Sequence, residues 1–255
     1  MKRGVCMACV SMVCLAGAAS AFAQSGPFLE TAAEASPVRI GDTDTLWQVA
    51  HAAGGVQQDG RYGWVVSADR HRRNRVVNWS FGAQGFRRAG AWTVSGSAAF
   101  VDRPDFLFRR SLEGEVSRTL FGSVVLHGGY RHLEFPSTTV RILQPSLSWY
   151  LPRGEIQGRG FLVRNDGTGT RSSTILVRSS IDASPRVRLG GGAAIGDRIF
   201  DVATFADVEA RSWIAFGSIR VAMTPQWHME LGIGGAHEDP LFSQRTLSLR
   251  LRRTF

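Results

Sequence analysis

Beyond Cys14 the chain has no cysteine, and beyond Lys2 it has no lysine. The first absence removes disulfides, thiolate chemistry and cysteine-ligated metals from nearly the whole sequence. The second leaves arginine as the only permanently cationic side chain downstream. Also missing is any apolar run near the ~20 residues that a helical membrane span needs. There is no HExxH pair and no G-x-S-x-G elbow, which sets aside zincin and α/β-hydrolase chemistry. No run of basic residues with interleaved aromatics appears, so the usual footprint of a nucleic-acid-binding surface is absent too.

What is present begins with a leader. Lys2 and Arg3, an apolar stretch from Val5 to Ala18, and Ala21-Phe22-Ala23 before Gln24 make residues 1–23 a cleavable secretory signal peptide. Cys6, Cys9 and Cys14 all lie within it, and none follows a lipobox, so no lipid anchor is expected. The formal charge of +9 falls to +7 once Lys2 and Arg3 are gone. Export removes nucleic acid from the partners that a basic chain could have. The planar guanidinium suits phosphate and carboxylate, which lipopolysaccharide and acidic glycans both carry. Biased codon usage would give the same all-arginine composition.

From Tyr62 onward, strands of about ten alternating residues are separated by turns. Tyr62, Trp64, Val66 and Ala68 alternate with Gly63, Val65, Ser67 and Asp69; Val77, Trp79, Phe81 and Ala83 repeat the pattern, as do Trp92, Val94, Gly96, Ala98 and Phe100. The last stretch, RTLSLRLRRTF, alternates Leu247, Leu249, Leu251 and Phe255 with polar residues, and such a strand must be closed by a partner. These spacings predict an all-β fold, a transmembrane antiparallel up-and-down β-barrel of about twelve strands over residues 61–255. Residues 24–60 read as a short periplasmic segment, with DTLWQVAHAAGG as a helix capped by Asp44 and stopped by Gly54. Turns at 87–90, 118–122, 151–154, 183–186 and 224–226 fall on the periplasmic side, and the long connection 196–210 falls outside. Trp64, Trp79, Trp92, Trp149, Trp213 and Trp227 share the lipid-facing parity. Pro145 should remove a ladder hydrogen bond, and Arg253, on the oily parity, must snorkel.

Residues 111–164, and above all GGYRHLEF (128–135) with the valine-rich strand and aromatic hairpin that follow, resemble the YaiO family of outer-membrane β-barrels. The resemblance implies a barrel in the bacterial outer membrane, and it carries no catalytic residue across. Phe255 also resembles the terminal aromatic of outer-membrane proteins, while Arg253 departs from the apolar residue usual at that position.

The strand parity sends a set of charges into the lumen: Arg109, Glu113, Glu115, His127, Arg131, Arg159, Arg178, Asp182, Arg220, His228, Glu230, Arg250 and Arg252. Buried charges must pair, so one reading is a salt-bridge network that fills the barrel. The other is a narrow pore in which arginines favour an anionic solute or assist a glycan such as an exopolysaccharide, although the glutamates interrupt that field. The non-enzymatic pore is preferred, and the alternative is a hydrolase acting on lipid or lipopolysaccharide. For the hydrolase, His127 or His132 would need a serine such as Ser111, Ser146 or Ser148 within reach. DRHRRNR (69–75) reads as the most basic loop, with Arg70, Arg72, Arg73 and Arg75 available to lipopolysaccharide phosphates. NDGTGT (165–170) reads as a hairpin rather than a calcium loop. No cofactor and no metal are expected. The expected partners are outer-membrane lipid, lipopolysaccharide and the barrel assembly machinery.

Overall fold

Where apolar and small polar residues alternate, one strand face suits lipid and the other suits a polar interior, and neither can be covered by a soluble core. The computed structural model describes residues 25–58, 60–197, 211–238 and 242–255; the expected signal peptide, 1–23, lies outside them. The strands are β1 (Gly26–Ile40), β2 (Thr43–Gln58), β3 (Tyr62–Arg73), β4 (Val76–Ala89), β5 (Trp92–Asp102), β6 (Arg110–Thr119) and β7 (Val124–Glu134). They continue as β8 (Thr139–Leu151), β9 (Gly154–Asn165), β10 (Arg171–Ser184), β11 (Val187–Asp197), β12 (Arg211–Ala222), β13 (Trp227–Glu238) and β14 (Phe242–Thr254). Each pairs antiparallel with its sequence neighbour, and β1 pairs with β14 from Phe28↔Thr254 to Ile40↔Phe242, which closes the barrel.

The count exceeds the expected twelve by two, and residues 24–60 supply both extra strands. The expected periplasmic segment and its helix are replaced by the hairpin β1–β2, in register from Gly26↔Gln57 to Ile40↔Thr43, with Gly41 at φ 55° making the turn. Alanine-rich sequence such as VAHAAGG favours a helix in isolation. Here the free edges of β3 and β14 would each expose a row of unpaired amides to lipid, and pairing them outweighs local propensity.

The basic stretch 69–75 is not a loop. Asp69 through Arg73 continue β3, and the turn is confined to Asn74 and Arg75, with Asn74 in the left-handed region at φ 55°. Pro145 and Pro37 interrupt the ladder without shifting register. The pairing of β8 with β9 skips Gln144 and Pro145, and that of β1 with β14 skips Ser36 and Pro37. A true shift occurs between Asp182 and Ser184, where β10 bulges against β11.

Connections at one rim (59–61, 90–91, 120–123, 152–153, 185–186 and 223–226) are none longer than four residues. At the other rim the connection 103–109 has seven residues and the ends of β11 and β12 are separated by thirteen in sequence, so the first rim is periplasmic and the second extracellular by the usual asymmetry of these barrels. Most of the expected long connection 196–210 lies outside the described residues, since β11 extends through Asp197. Between the rims runs an outward belt of large apolar residues, including Leu112, Ile175, Ile233 and Leu247. Such a belt is stable only in a bilayer. Trp64, Trp79, Trp92, Trp149 and Trp213 stand exposed on it. Arg253 snorkels between aromatics, with its guanidinium 5.5 Å from the Trp227 ring centre and 4.6 Å from that of Phe255.

Candidate functional site in the barrel lumen

Because side chains alternate along each strand, every second residue points inward, and the inner wall is polar over its periplasmic half. Its most connected node centres on Glu115 of β6. Glu115 accepts from His127 Nδ1 at 3.1 Å and from Arg159 Nη2 at 3.0 Å. The other histidine nitrogen, Nε2, lies 3.1 Å from the Ser148 hydroxyl, which also accepts from Gln157 at 2.9 Å. Arg159 donates in turn to the Gln144 carbonyl at 3.2 Å.

A second node joins β2, β3 and β4. His51 Nδ1 donates to Asp69 at 2.5 Å, Ser80 donates to the other Asp69 oxygen at 3.2 Å, and the Ser80 hydroxyl lies 3.1 Å from His71 Nε2. The remaining charges form pairs across adjacent strands: Arg131 with Glu113 at 3.7 Å, Arg178 with Glu155 at 3.9 Å, Arg188 with Asp182 at 3.6 Å, Arg220 with Glu230 at 2.5 Å, and Arg250 with Glu30 at 3.4 Å. Arg252 packs its guanidinium over the Phe28 ring at 3.8 Å, and His228 is buried beside it on β13.

Among the residues singled out from sequence, Glu113, Glu115, His127, Arg131, Arg159, Arg178, Asp182, Arg220, His228, Glu230, Arg250 and Arg252 stand on the inner face. Arg109 does not. It sits in the connection 103–109, its side chain is 58% exposed, and its nearest acid is Glu134 at 3.8 Å. The basic stretch divides: Arg70 and Arg72 point outward from the extracellular end of β3, Arg75 lies in the turn, and Arg73 turns inward. Arg73 lies 4.0 Å from the Trp47 ring centre and 4.3 Å from that of Phe106. Sequence reading missed Glu30, His51, Asp69, His71, Glu155 and Arg188. The first two fell in the segment not read as strand. Asp69 stood on the inward parity but was counted with His71 in the basic stretch 69–75, and Glu155 and Arg188 stand at strand starts beside periplasmic turns. Extending the alternation of β3 from Asp69 to His71 would have found that pair.

The charges are unevenly divided around the wall. Arg159, Arg178, Arg188, Arg220, Arg250 and Arg252 project from β9–β14, where they outnumber Glu155, Asp182, Glu230 and Glu238. On β1–β8 the carboxylates Glu30, Glu34, Asp69, Glu113 and Glu115 outnumber Arg73, Arg88 and Arg131. The inner wall is therefore positive on one side and negative on the other.

Toward the extracellular rim the wall turns apolar. Val38, Ala194, Ile214, Ala236 and Phe242 form one cluster. Val101, Phe106 and Leu107 form a second and Phe135, Val140 and Ile142 a third, with Phe108 packed against both. Phe106, Leu107 and Phe108 come from the connection 103–109, which folds inward over the mouth.

Ser148, His127 and Glu115 have the order and spacing of a nucleophile, base and orienting acid. Ser148, however, is 0% exposed, is already bonded by Gln157, and sits mid-strand between ladders to Val125 and Gln157. Its neighbouring amides are engaged in those ladders and form no oxyanion hole, so the trio is built as a brace between strands. The hairpin reading of 165–170 is matched by Asn165, whose side-chain carbonyl accepts from the amides of Gly167 at 3.0 Å and Thr168 at 3.4 Å. Among the described residues no group of three or more His, Cys, Asp or Glu is arranged to hold a metal ion.

A family model described as the YaiO membrane beta barrel domain matches residues 41–193. No match was found among curated proteins. Among solved structures, the CymD monoaromatic hydrocarbon channel is similar at a TM-score of 0.65 with 8% identity, over 91% of this chain and 89% of that one. A bacterial polysaccharide outer membrane secretin gives 0.58 with 8% identity, over 91% and 99%. Omp33 of Acinetobacter baumannii gives 0.54 with 12% identity, over 91% and 100%. At these identities the likeness is one of fold.

The brace predicts a specific cost. Glu115→Ala leaves His127 and Arg159 without their shared acceptor inside the wall and should lower unfolding stability in detergent by roughly 3 kcal/mol. Arg39→Gln, which breaks the exposed pair to Asp44, should leave the urea midpoint unchanged. Equal midpoints for both variants would show that the network carries no structural load.

Proposed function

The chain belongs to the YaiO membrane β-barrel family of the bacterial outer membrane, and from that premise we propose that it is a narrow, non-enzymatic pore that passes anionic solutes or acidic glycan segments along its arginine side. The observation that carries this reading is the division of lumen charge, with arginines dominant on β9–β14 and carboxylates on β1–β6. A guanidinium row offers bidentate sites that an anion can pass between without being held at one of them. Three buried donors on adjacent strands, Gln144 Nε2, Ser146 Oγ and Arg159 Nε, have no hydrogen-bond acceptor among the described residues and would serve an anion in transit. The buried inner wall and the folded-in connection 103–109 argue for a restricted passage rather than a wide one. Similar folds that are channels add weight, as does a similar polysaccharide secretin.

Planar-bilayer recording tests the reading. The wild-type barrel should conduct with anion selectivity, and Arg178→Glu with Arg220→Glu should lower the chloride-to-potassium permeability ratio by about threefold or more. A silent bilayer, or unchanged selectivity in a variant that folds, contradicts it.

A second reading, a lipid or lipopolysaccharide hydrolase, rests on the Ser148–His127–Glu115 alignment. It requires fatty-acid release from detergent micelles that is abolished by Ser148→Ala and by His127→Ala. Absence of release from the wild-type barrel removes it.

A further inference from the structure

On the outer face, at the extracellular ends of four adjacent strands, the ladder register places His132 opposite Arg141, Arg141 opposite Arg164, and Arg164 opposite Arg171. All three arginines are exposed. Like charges directly opposite in a sheet repel, so this row works against folding unless an anion joins it. Among the described residues a single carboxylate lies within ion-pair distance of the row. Asp166 meets Arg141 at 3.0 Å and Arg164 at 3.3 Å, and Arg171 makes no ion pair among the described residues.

Directly toward the membrane from this row, Leu143 and Leu162 face each other in register and are 53% and 52% exposed, and Ile175 on β10 is 63% exposed. At the opposite ends of the same strands the outward positions are apolar, with Trp149, Ile156 and Ile181. The row thus has cations at the level of extracellular headgroups and bare hydrocarbon contacts beneath them, on one leaflet only.

We propose that the outer surface of β7–β10 is a binding site for a phosphorylated glycolipid of the extracellular leaflet, the lipid A portion of lipopolysaccharide. Its phosphate takes the forks of Arg141, Arg164 and Arg171, and its acyl chains lie along Leu143, Leu162 and Ile175. Arginine favours this chemistry over lysine, because two parallel N–H groups match two phosphate oxygens and the flat group keeps part of its stem in contact with hydrocarbon. The proposal does not depend on conduction through the lumen. It uses the outer face alone.

The test uses the full barrel refolded in lipopolysaccharide-free detergent, with folding checked by heat-modifiable gel migration, and native mass spectrometry with lipid A as the readout. Wild type should retain phosphorylated lipid A. The variant Arg141→Gln/Arg164→Gln/Arg171→Gln should bind it about tenfold more weakly, the equivalent of one charge-assisted contact or more. The opposite-rim variant Arg87→Gln/Arg118→Gln should bind as wild type, and dephosphorylated lipid A should bind wild type as weakly as phosphorylated lipid A binds the triple variant. Arg171→Gln alone, which breaks no ion pair, gives a smaller loss in the same direction should the triple variant fail to fold. Undiminished binding in the folded triple variant, or in folded Arg171→Gln, overturns the proposal. So does displacement of lipid A by millimolar inorganic phosphate, which would reveal a small-anion site instead.

Discussion

A sheet in hydrocarbon has no water to satisfy its edges, so every backbone amide must find a partner within the protein. The pairing of β1 with β14 meets that requirement, and the rest of the structure depends on it. Closure fixes which residues face lipid and which face the interior. It brings Glu30 against Arg250 and the Phe28 ring under Arg252, contacts between opposite ends of the chain. It also makes the lumen a confined space in which charges must pair or meet a ligand.

Within that space, polar and apolar groups are segregated along the axis as well as around it. Most charged residues lie in the middle and periplasmic half of the wall, with Asp69, His71 and Glu238 reaching toward the extracellular end, while phenylalanine, valine and isoleucine gather at the extracellular mouth. Arg73 marks the transition, its guanidinium between Trp47 and Phe106. The outside is organised with the same economy, an apolar belt below and a row of arginines above on β8–β10. An all-arginine chain suits both surfaces, since the guanidinium stacks on aromatics and forks onto oxyanions.

The strands β3–β14 were legible because bulky outward residues alternate with serine, glycine and charged residues over enough positions to exclude a helix. β1 and β2 were not. The β1 stretch shows no clear period, with Ala32, Ala33 and Ala35 blurring its alternation, and the alanines of VAHAAGG in β2 favour a helix in isolation. The even-number rule gave no warning, because twelve and fourteen strands satisfy it equally. That single misreading hid Glu30, His51 and the inward Trp47. It also hid the actual partner of the terminal strand, which lies at the other end of the chain. Glu155 and Arg188 were lost for a different reason, since they stand within two residues of periplasmic turns where alternation alone cannot set the strand boundary. The Ser148–His127–Glu115 alignment could not be read from sequence, because it joins three strands through a register that only the folded sheet defines.

The central claim is closure through β1, and cysteine cross-linking tests it most directly in a chain that has no cysteine beyond residue 14. Ala33 and Leu249 face each other across β1 and β14. Oxidation of an Ala33→Cys/Leu249→Cys barrel in outer-membrane fractions should give an intramolecular disulfide in high yield, seen as a reduction-sensitive mobility shift. A Val66→Cys/Leu249→Cys barrel, which would bridge β3 directly to β14, should give none. Cross-linking of the second pair in place of the first would contradict the account, because the sheet would then close without its first two strands.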